Sequence, residues 1–399
     1  AAADGEDEVA LRGDARWVAR LIRGPAALED AAPVAWRSPA QPFRLLAARP
    51  GVLDQVELRP LRRRAPGAGE VEVEVSAAAL NFIDVMKAMG TYPGVGSGPA
   101  RLGGECAGRV VAVGPGVRGV ALGDRVIACA FGSFASHVTV RADHTQSIPR
   151  DVSDEAAAGL PLVLATAWYG LVELARLAPG ETVLIHAATG GLGLAAIQVA
   201  RRLGARVIAT AGSEAKRAYL RALGVADVLD SRSLAWADGV RAATAGRGVD
   251  VVLNSLTGAA IPLGLDVLAE DGRFIEVGKL DIHGGRALRL AAFQKGLSFS
   301  AIDLAGMIER RPERFARLLA AAWAQVCSAA IVPLPTTAIA FADAADALRA
   351  LARGAHVGKL VLTQPATARA IAPEPLVDGR LRADGTYLIT GGLGALGRS

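Results

Sequence analysis

Residues 183–203 read VLIHAATGGLGLAAIQVARRL. Val183 to His186 is a short apolar run, the kind that forms a fully buried parallel strand. Ala187 to Gly191 is a turn of small residues. Beyond it Leu192, Ala196, Val199, Ala200 and Leu203 recur at helical spacing. Strand, glycine turn and helix, in that order, make the first unit of a dinucleotide-binding fold. The glycine frame is Gly191-x-Gly193-x-x-Ala196, with Gly190 before it. The first glycine allows the tight turn, the second lets backbone N–H groups approach a pyrophosphate, and the small third residue lets helix pack on strand. The helix N-terminus adds unpaired N–H groups and the positive end of a dipole. Thr189, Gly190, Gly191, Leu192 and Gly193 are therefore the candidate pyrophosphate contacts. A glycine-rich turn alone is a weak signal; the flanking strand and helix carry the reading.

The following residues bear on which dinucleotide is bound. A second strand, Arg206 to Thr210, ends in Ala211-Gly212-Ser213. An NAD site places an acid about 20 residues past the glycines, for the ribose 2′-hydroxyl. That place holds no acid here. Ser213, Lys216 and Arg217 lie just beyond it, and a hydroxyl with two cations suits a 2′-phosphate. The same cations also suit a solvated helix face, and neighbouring Glu214 works against phosphate. The balance predicts NADPH in preference to NADH.

The 399 residues suffice for two or three domains, and hydrophobic residues at 52% supply ample core. No run of about 18 uninterrupted apolar residues occurs, so a transmembrane helix is not expected. The acidic, polar N-terminus argues against a signal peptide. Cys106, Cys129 and Cys327 are too widely spaced for a disulfide framework or a zinc pattern, which fits a reducing cytoplasm. The net charge is +5, but both signs are dispersed, so no nucleic-acid surface is expected.

Residues 1–40 read as two short strands, Glu8 to Arg12 and Trp17 to Ile22, with a turn at Gly13-Asp14 and a Pro/Ala-rich linker behind them. Residues 41–150 are strand-rich, with a short helix over Leu80 to Gly90. Val71, Val73 and Val75 alternate with Glu72 and Glu74, the pattern of a half-buried strand. This reads as a small, rolled β domain for the substrate. Residues 151–330 alternate strand and helix through Asp227–Leu229, Val249–Asn254, Arg273–Gly278 and Leu297–Ile302, which predicts a doubly wound α/β sheet binding the cofactor. Residues 331–365, with a helix over Phe341–Arg353 and a strand from Gly358, return to the β domain. Residues 366–385 are a linker. Residues 386–399 start a second glycine turn after an apolar strand, so the chain is expected to be a piece of a longer polypeptide.

LNFIDVMKAMGTYPG, GGECAGRVVAVG, LPLVLATAWYGL, VVLNSLTG, RFIEVGKLDI and HVGKLVLT together resemble the enoyl reductase domain of modular polyketide synthases, over about residues 41–365. The domain order looks like the medium-chain dehydrogenase/reductase superfamily, and AATGGLGLAAIQVAR is similar to its zinc-free quinone reductase branch. The resemblance implies a Rossmann cofactor domain with a smaller GroES-like β domain. It also implies an acyl carrier protein as partner, bearing an enoyl thioester. Residues 386–399 resemble the start of a ketoreductase catalytic half, and the hairpin would then end the ketoreductase's structural half. Zinc-dependent relatives place Cys and His ligands around Gly103-Gly104-Glu105. Here Glu105 persists, Gly104 replaces the neighbouring His, and no cysteine cluster exists, so no metal is expected.

Reduction of an enoyl thioester needs a hydride donor, a hold on the developing enolate and a proton for C2. Lys279 ends one expected strand and Asp303 the next, so both face the carboxyl edge where ligands bind. A paired lysine can serve as an acid, and an ion pair can equally just fix a loop. The family's proposed proton donors match Lys279 and Asp303. Tyr92 can donate a proton or hold an oxyanion, or it can simply pack on Pro93. The resemblance links a tyrosine at this position to the face of C2 protonation, with a 2S product from an α-methyl substrate. Asn81 and Asp84 read as helix-capping. Asn254 and Ser255 are expected near the nicotinamide, and Gly278 joins the cofactor-binding set. Alternatives are a stand-alone quinone or alkenal reductase, and a degenerate domain that binds no cofactor.

Overall fold

The computed structural model describes residues 9–12, 15–18, 42–92, 99–288 and 290–364. The sequence expectations for the linkers, for Pro93 and for residues 386–399 lie outside them. Six parallel strands form one sheet: Thr182–Ile185 (β1), Arg206–Ala211 (β2), Asp227–Asp230 (β3), Val249–Asn254 (β4), Leu268–Glu276 (β5) and Ser298–Ala301 (β6). Their order is β3-β2-β1-β4-β5-β6, so the connection reverses between β1 and β4. That reversal opens a crevice at the carboxyl ends of the strands. Both faces are covered. Val183, Ile185, Val251 and Leu253 pack into one core, and Leu184, Ile208, Val252 and Phe274 into another with Trp236 and Ile261. Two-sided burial explains why the central strand β1 reads as an apolar run.

A second sheet has seven strands. In order these are Thr145–Ser147, Arg125–Cys129, Glu105–Val113, Glu70–Ala79, Lys359–Thr363 and Thr336–Ala340, with His137–Arg141 also on Glu70–Ala79. Lys359–Thr363 runs antiparallel to Glu70–Ala79, so the chain rejoins this sheet after completing the first. Thr336–Ala340 was not foreseen. It is a half-exposed edge strand, TTAIA, whose apolar residues do not mark a buried face. The helix expected over 341–353 opens as a 3₁₀ turn, Phe341–Asp343, and is α-helical over Ala344–Ala352. Val9–Arg12 and Ala15–Val18 pair as a separate two-stranded sheet. Among the described residues no helix is long and apolar enough to cross a membrane.

A buried polar knot lies where the two units meet. Lys359 Nζ donates to Leu80 O at 2.8 Å, Asn81 Oδ1 at 2.8 Å and Glu105 Oε1 at 2.9 Å. Glu105 also accepts from Asn81 Nδ2 at 2.8 Å and, through Oε2, from Leu162 N at 2.7 Å. The side chains of Lys359 and Glu105 are 4% and 0% exposed, so neither charge has water to fall back on. The Lys359 stem also lies over Gly191, where an added Cβ would fall 2.4 Å from its Cδ. Gly358 N donates to Thr189 O at 2.8 Å. The returning strand therefore touches the glycine turn directly. Lys359→Met should cost about 3–5 kcal/mol by stranding the Glu105 carboxylate. Adding Glu105→Gln should recover part of that loss, a coupling that denaturant melts of the two singles and the double will measure.

Candidate active site

The glycine turn follows β1 and enters the helix Gly191–Arg202 (α1), whose N-terminus has no side-chain cap. Its glycines do different jobs. A Cβ on Gly193 would lie 2.4 Å from Ala188 Cα, so this position sets how closely helix and turn approach. A Cβ on Gly190 would meet nothing nearer than Ala187 O at 3.4 Å, which leaves its outer side open. Thr189 is buried and Leu192 half-buried. Open backbone at an uncapped helix start is the donor set that a pyrophosphate requires.

At the end of β2, Ser213 caps the helix Glu214–Ala222 (α2) by accepting from Lys216 N. Lys216 Nζ reaches back to Gly354 O at 2.6 Å. Burial and the nearby Arg232 charge lower its pKa. Arg217 is turned elsewhere. It bonds Glu214 at 3.0 Å, Asp230 at 3.1 Å and Ala211 O at 3.3 Å, and is only 16% exposed. Arg232 lies close to the same turn: its Nε would lie 3.1 Å from a Cβ on Gly212, and its exposed guanidinium has no hydrogen-bond or ion-pair partner among the described residues. The signal for Arg232 was its place just past β3, at the same carboxyl edge.

Asn254 is fully buried, and its amide donates to Glu276 at 2.6 Å and Leu256 O at 2.8 Å. Ser255 beside it is exposed. Glu276, unremarked in the sequence, also accepts from Gly278 N at 2.5 Å. Burial, helped by the charge of Asp281, raises its pKa to about 7 against these bonds.

Tyr92, Lys279, Asp303 and Gly278 line a single cleft of about 550 Å³. One wall comes from the seven-stranded unit, through Ile83, Lys87, Tyr92 and Phe131. The other comes from the parallel-sheet unit, through Gly278, Lys279, Ile302, Asp303, Gly306 and Arg310. Lys279 Nζ donates to Asp303 Oδ1 at 2.9 Å and to Ile302 O at 2.9 Å. Asp303 caps the helix Leu304–Arg310 through Gly306 N at 3.2 Å and takes Arg310 on Oδ2 at 2.7 Å. Burial opposes its charge, but the bonds from Lys279, Gly306 and Arg310 outweigh this and hold the carboxyl at about 2. Asp303 is thus ionised and an acceptor at neutral pH. Burial raises the Tyr92 phenol, and the charges of Asp303 and Glu309 add to it, so the phenol keeps its hydrogen as a donor. Asp84 Oδ2 accepts from Asn81 N at 2.9 Å and its Oδ1 from Gly103 N at 2.7 Å, fixing the helix that carries Lys87.

Two sheets, a cofactor turn and a cleft between the units define a medium-chain dehydrogenase/reductase. Residues 191–324 match the zinc-binding dehydrogenase family, and residues 67–150 the alcohol dehydrogenase GroES-like domain. A component of the phenolphthiocerol/phthiocerol polyketide synthase of Mycobacterium tuberculosis is 45% identical over 406 residues, covering 98% of this chain and 18% of that protein. The phthioceranic/hydroxyphthioceranic acid synthase of Mycobacterium bovis is 42% identical over 395 residues, with coverage of 98% and 18%. Among solved structures, the CurK enoyl reductase is 37% identical with a TM-score of 0.76, covering 82% of this chain and 100% of that one. The quinone oxidoreductase of Escherichia coli, complexed with NADPH, is 28% identical with a TM-score of 0.72, covering 80% and 99%. The chain belongs to the enoyl reductases of polyketide synthases, oxidoreductases of the medium-chain superfamily, and spans less than a fifth of the curated relatives it matches.

The zinc in the family's name does not fit these residues. Among the described residues no group of three His, Cys, Asp or Glu could hold a metal ion, and both Glu105 oxygens are engaged by protein donors. The glycine turn yields a separable prediction. Gly193→Ala should cost about 1–3 kcal/mol by forcing backbone apart. Gly190→Ala should melt like the wild type and lose affinity for a dinucleotide. Thermal melts and cofactor fluorescence read the two effects independently.

Proposed function

We propose that this chain reduces an α,β-unsaturated thioester carried on an acyl carrier protein, with NADPH as cofactor. The observation that carries the reading is the cleft itself: a Lys279–Asp303 pair on the cofactor-side wall, facing Tyr92 on the other. Residues 189–193 would hold the pyrophosphate, with Ser213, Lys216 and Arg232 around a 2′-phosphate. When bound, the reduced nicotinamide supplies a hydride to C3. Lys279 then holds the proton destined for C2, Asp303 orients that lysine, and Tyr92 sets the face from which C2 is reached. The relatives' membership of long synthases supports a carrier protein and a neighbouring ketoreductase as partners. Crotonyl pantetheine, crotonyl carrier protein, a quinone and an alkenal, assayed side by side, test the substrate class. Turnover confined to the quinone or alkenal would replace this reading with that of a stand-alone reductase.

Removing Lys216 and Arg232 together should weaken NADPH far more than NADH, since a charge-assisted phosphate bond contributes about 1.5–3 kcal/mol. Arg217→Ala should change the NADPH/NADH ratio much less, because its guanidinium is already held by Glu214 and Asp230. Equal losses for both cofactors in the double variant refute the phosphate assignment. For the proton, Lys279→Ala with Asp303→Ala should keep NADPH affinity and lose turnover by about 10²–10⁴-fold. Tyr92→Val should retain turnover on an α-methyl enoyl thioester and alter the 2S configuration of the product. Full activity in the first variant with an unchanged configuration in the second removes all three residues from the mechanism.

A further inference from the structure

Lys87 is the cation that the β-domain wall contributes to the cleft. It leaves the last turn of the helix Phe82–Ala88, four residues past Ile83, which lines the same wall. Its ammonium lies 5.3 Å from the centre of the Phe131 ring and 5.9 Å from that of Tyr92. Among the described residues no carboxylate pairs with it. The cations of the opposite wall are committed: Lys279 to Asp303 and Ile302 O, Arg310 to Asp303. A lysine at a helix C-terminus has an ordinary use, complementing the helix dipole. That use does not require the ammonium to sit on two aromatic faces inside a reaction cleft.

The chemistry leaves one task unassigned. When hydride adds at C3, its electron pair forms the new C3–H bond. The C2–C3 π pair becomes the C1–C2 π bond, and the carbonyl π pair moves onto the thioester oxygen. The oxygen then carries negative charge until C2 accepts a proton and the carbonyl re-forms. Lys279 cannot both deliver that proton to C2 and neutralise the oxygen. We infer that Lys87 holds the thioester oxygen as its charge develops, donating a hydrogen bond and keeping its proton. The aromatic faces hold the ammonium in place without neutralising it, as a carboxylate would. This inference rests on the enoyl thioester reading.

The test uses the full chain, NADPH and crotonyl pantetheine. Lys87→Met should lower kcat on the order of 10²-fold, the cost of losing one oxyanion donor, with KM moved far less. The melting temperature and NADPH affinity should match the wild type. Lys87→Arg should recover most of kcat, and Lys87→Gln, neutral but able to donate, should fall between. In a Tyr92→Phe background the Lys87→Met loss should persist. Disappearance of that loss would mean that Lys87 acts only through the phenol, which overturns the inference. So would an undiminished kcat in Lys87→Met, while the wild-type turnover keeps the reductase reading intact. A wild-type enzyme that binds NADPH and reduces no enoyl thioester overturns both.

Discussion

The Lys359 ammonium, buried against Glu105, is the constraint from which the rest of this architecture follows. Three acceptors surround it, and each belongs to a different part of the fold: the end of a long strand, the start of the cleft helix, and a central strand of the second sheet. Glu105 in turn receives the backbone of Leu162, at the start of the helix Pro161–Trp168. Such a pair contributes little net stability by itself, since desolvation offsets most of the attraction. What it fixes is geometry. Gly191 can tolerate no side chain because the lysine stem occupies that space, so the start of α1 is set relative to the β domain.

The cleft repeats this logic with its charges left open. Asp303 is over-satisfied, with Lys279, Arg310 and a helix N–H on its two oxygens. Gly306 is the residue that allows it, since a Cβ there would lie 2.0 Å from Asp303 Oδ2. A carboxylate so surrounded stays ionised and serves as an anchor. Lys279, Tyr92 and Lys87 offer hydrogens from both walls. Donors thus reach the cleft from two sides, beside the apolar Ile83, Phe131 and Ile302.

Much of this was legible in the sequence, and the reason is locality. A buried parallel strand is an apolar run, and a glycine turn followed by helical spacing names its own shape. Lys279 and Asp303 could be paired in advance because successive parallel strands end at the same edge. The choice between Arg217 and Arg232 was not legible. Both are cations near the right strand ends, and only the fold shows that Asp230, on the neighbouring strand, captures the first. Lys87 gave no signal because one lysine on an amphipathic helix reads as solvated. The edge strand Thr336–Ala340 was missed because its exposed face carries no alternation to detect. The Lys359–Glu105 pair joins residues 254 positions apart, beyond any local pattern.

That separation has a consequence for how the chain is made. Glu105 leaves the ribosome long before the lysine that neutralises it. At the usual synthesis rates of about 5–20 residues per second, the delay is roughly 13–50 s. During it the β domain lacks its strand Lys359–Thr363, and a carboxylate destined for burial stays hydrated and holds the core open. The parallel-sheet unit, encoded wholly within the interval, can assemble first and present the glycine turn on which Gly358 and Lys359 later dock. The seven-stranded unit is therefore the last to close, and the residue that closes it also packs against the glycine turn.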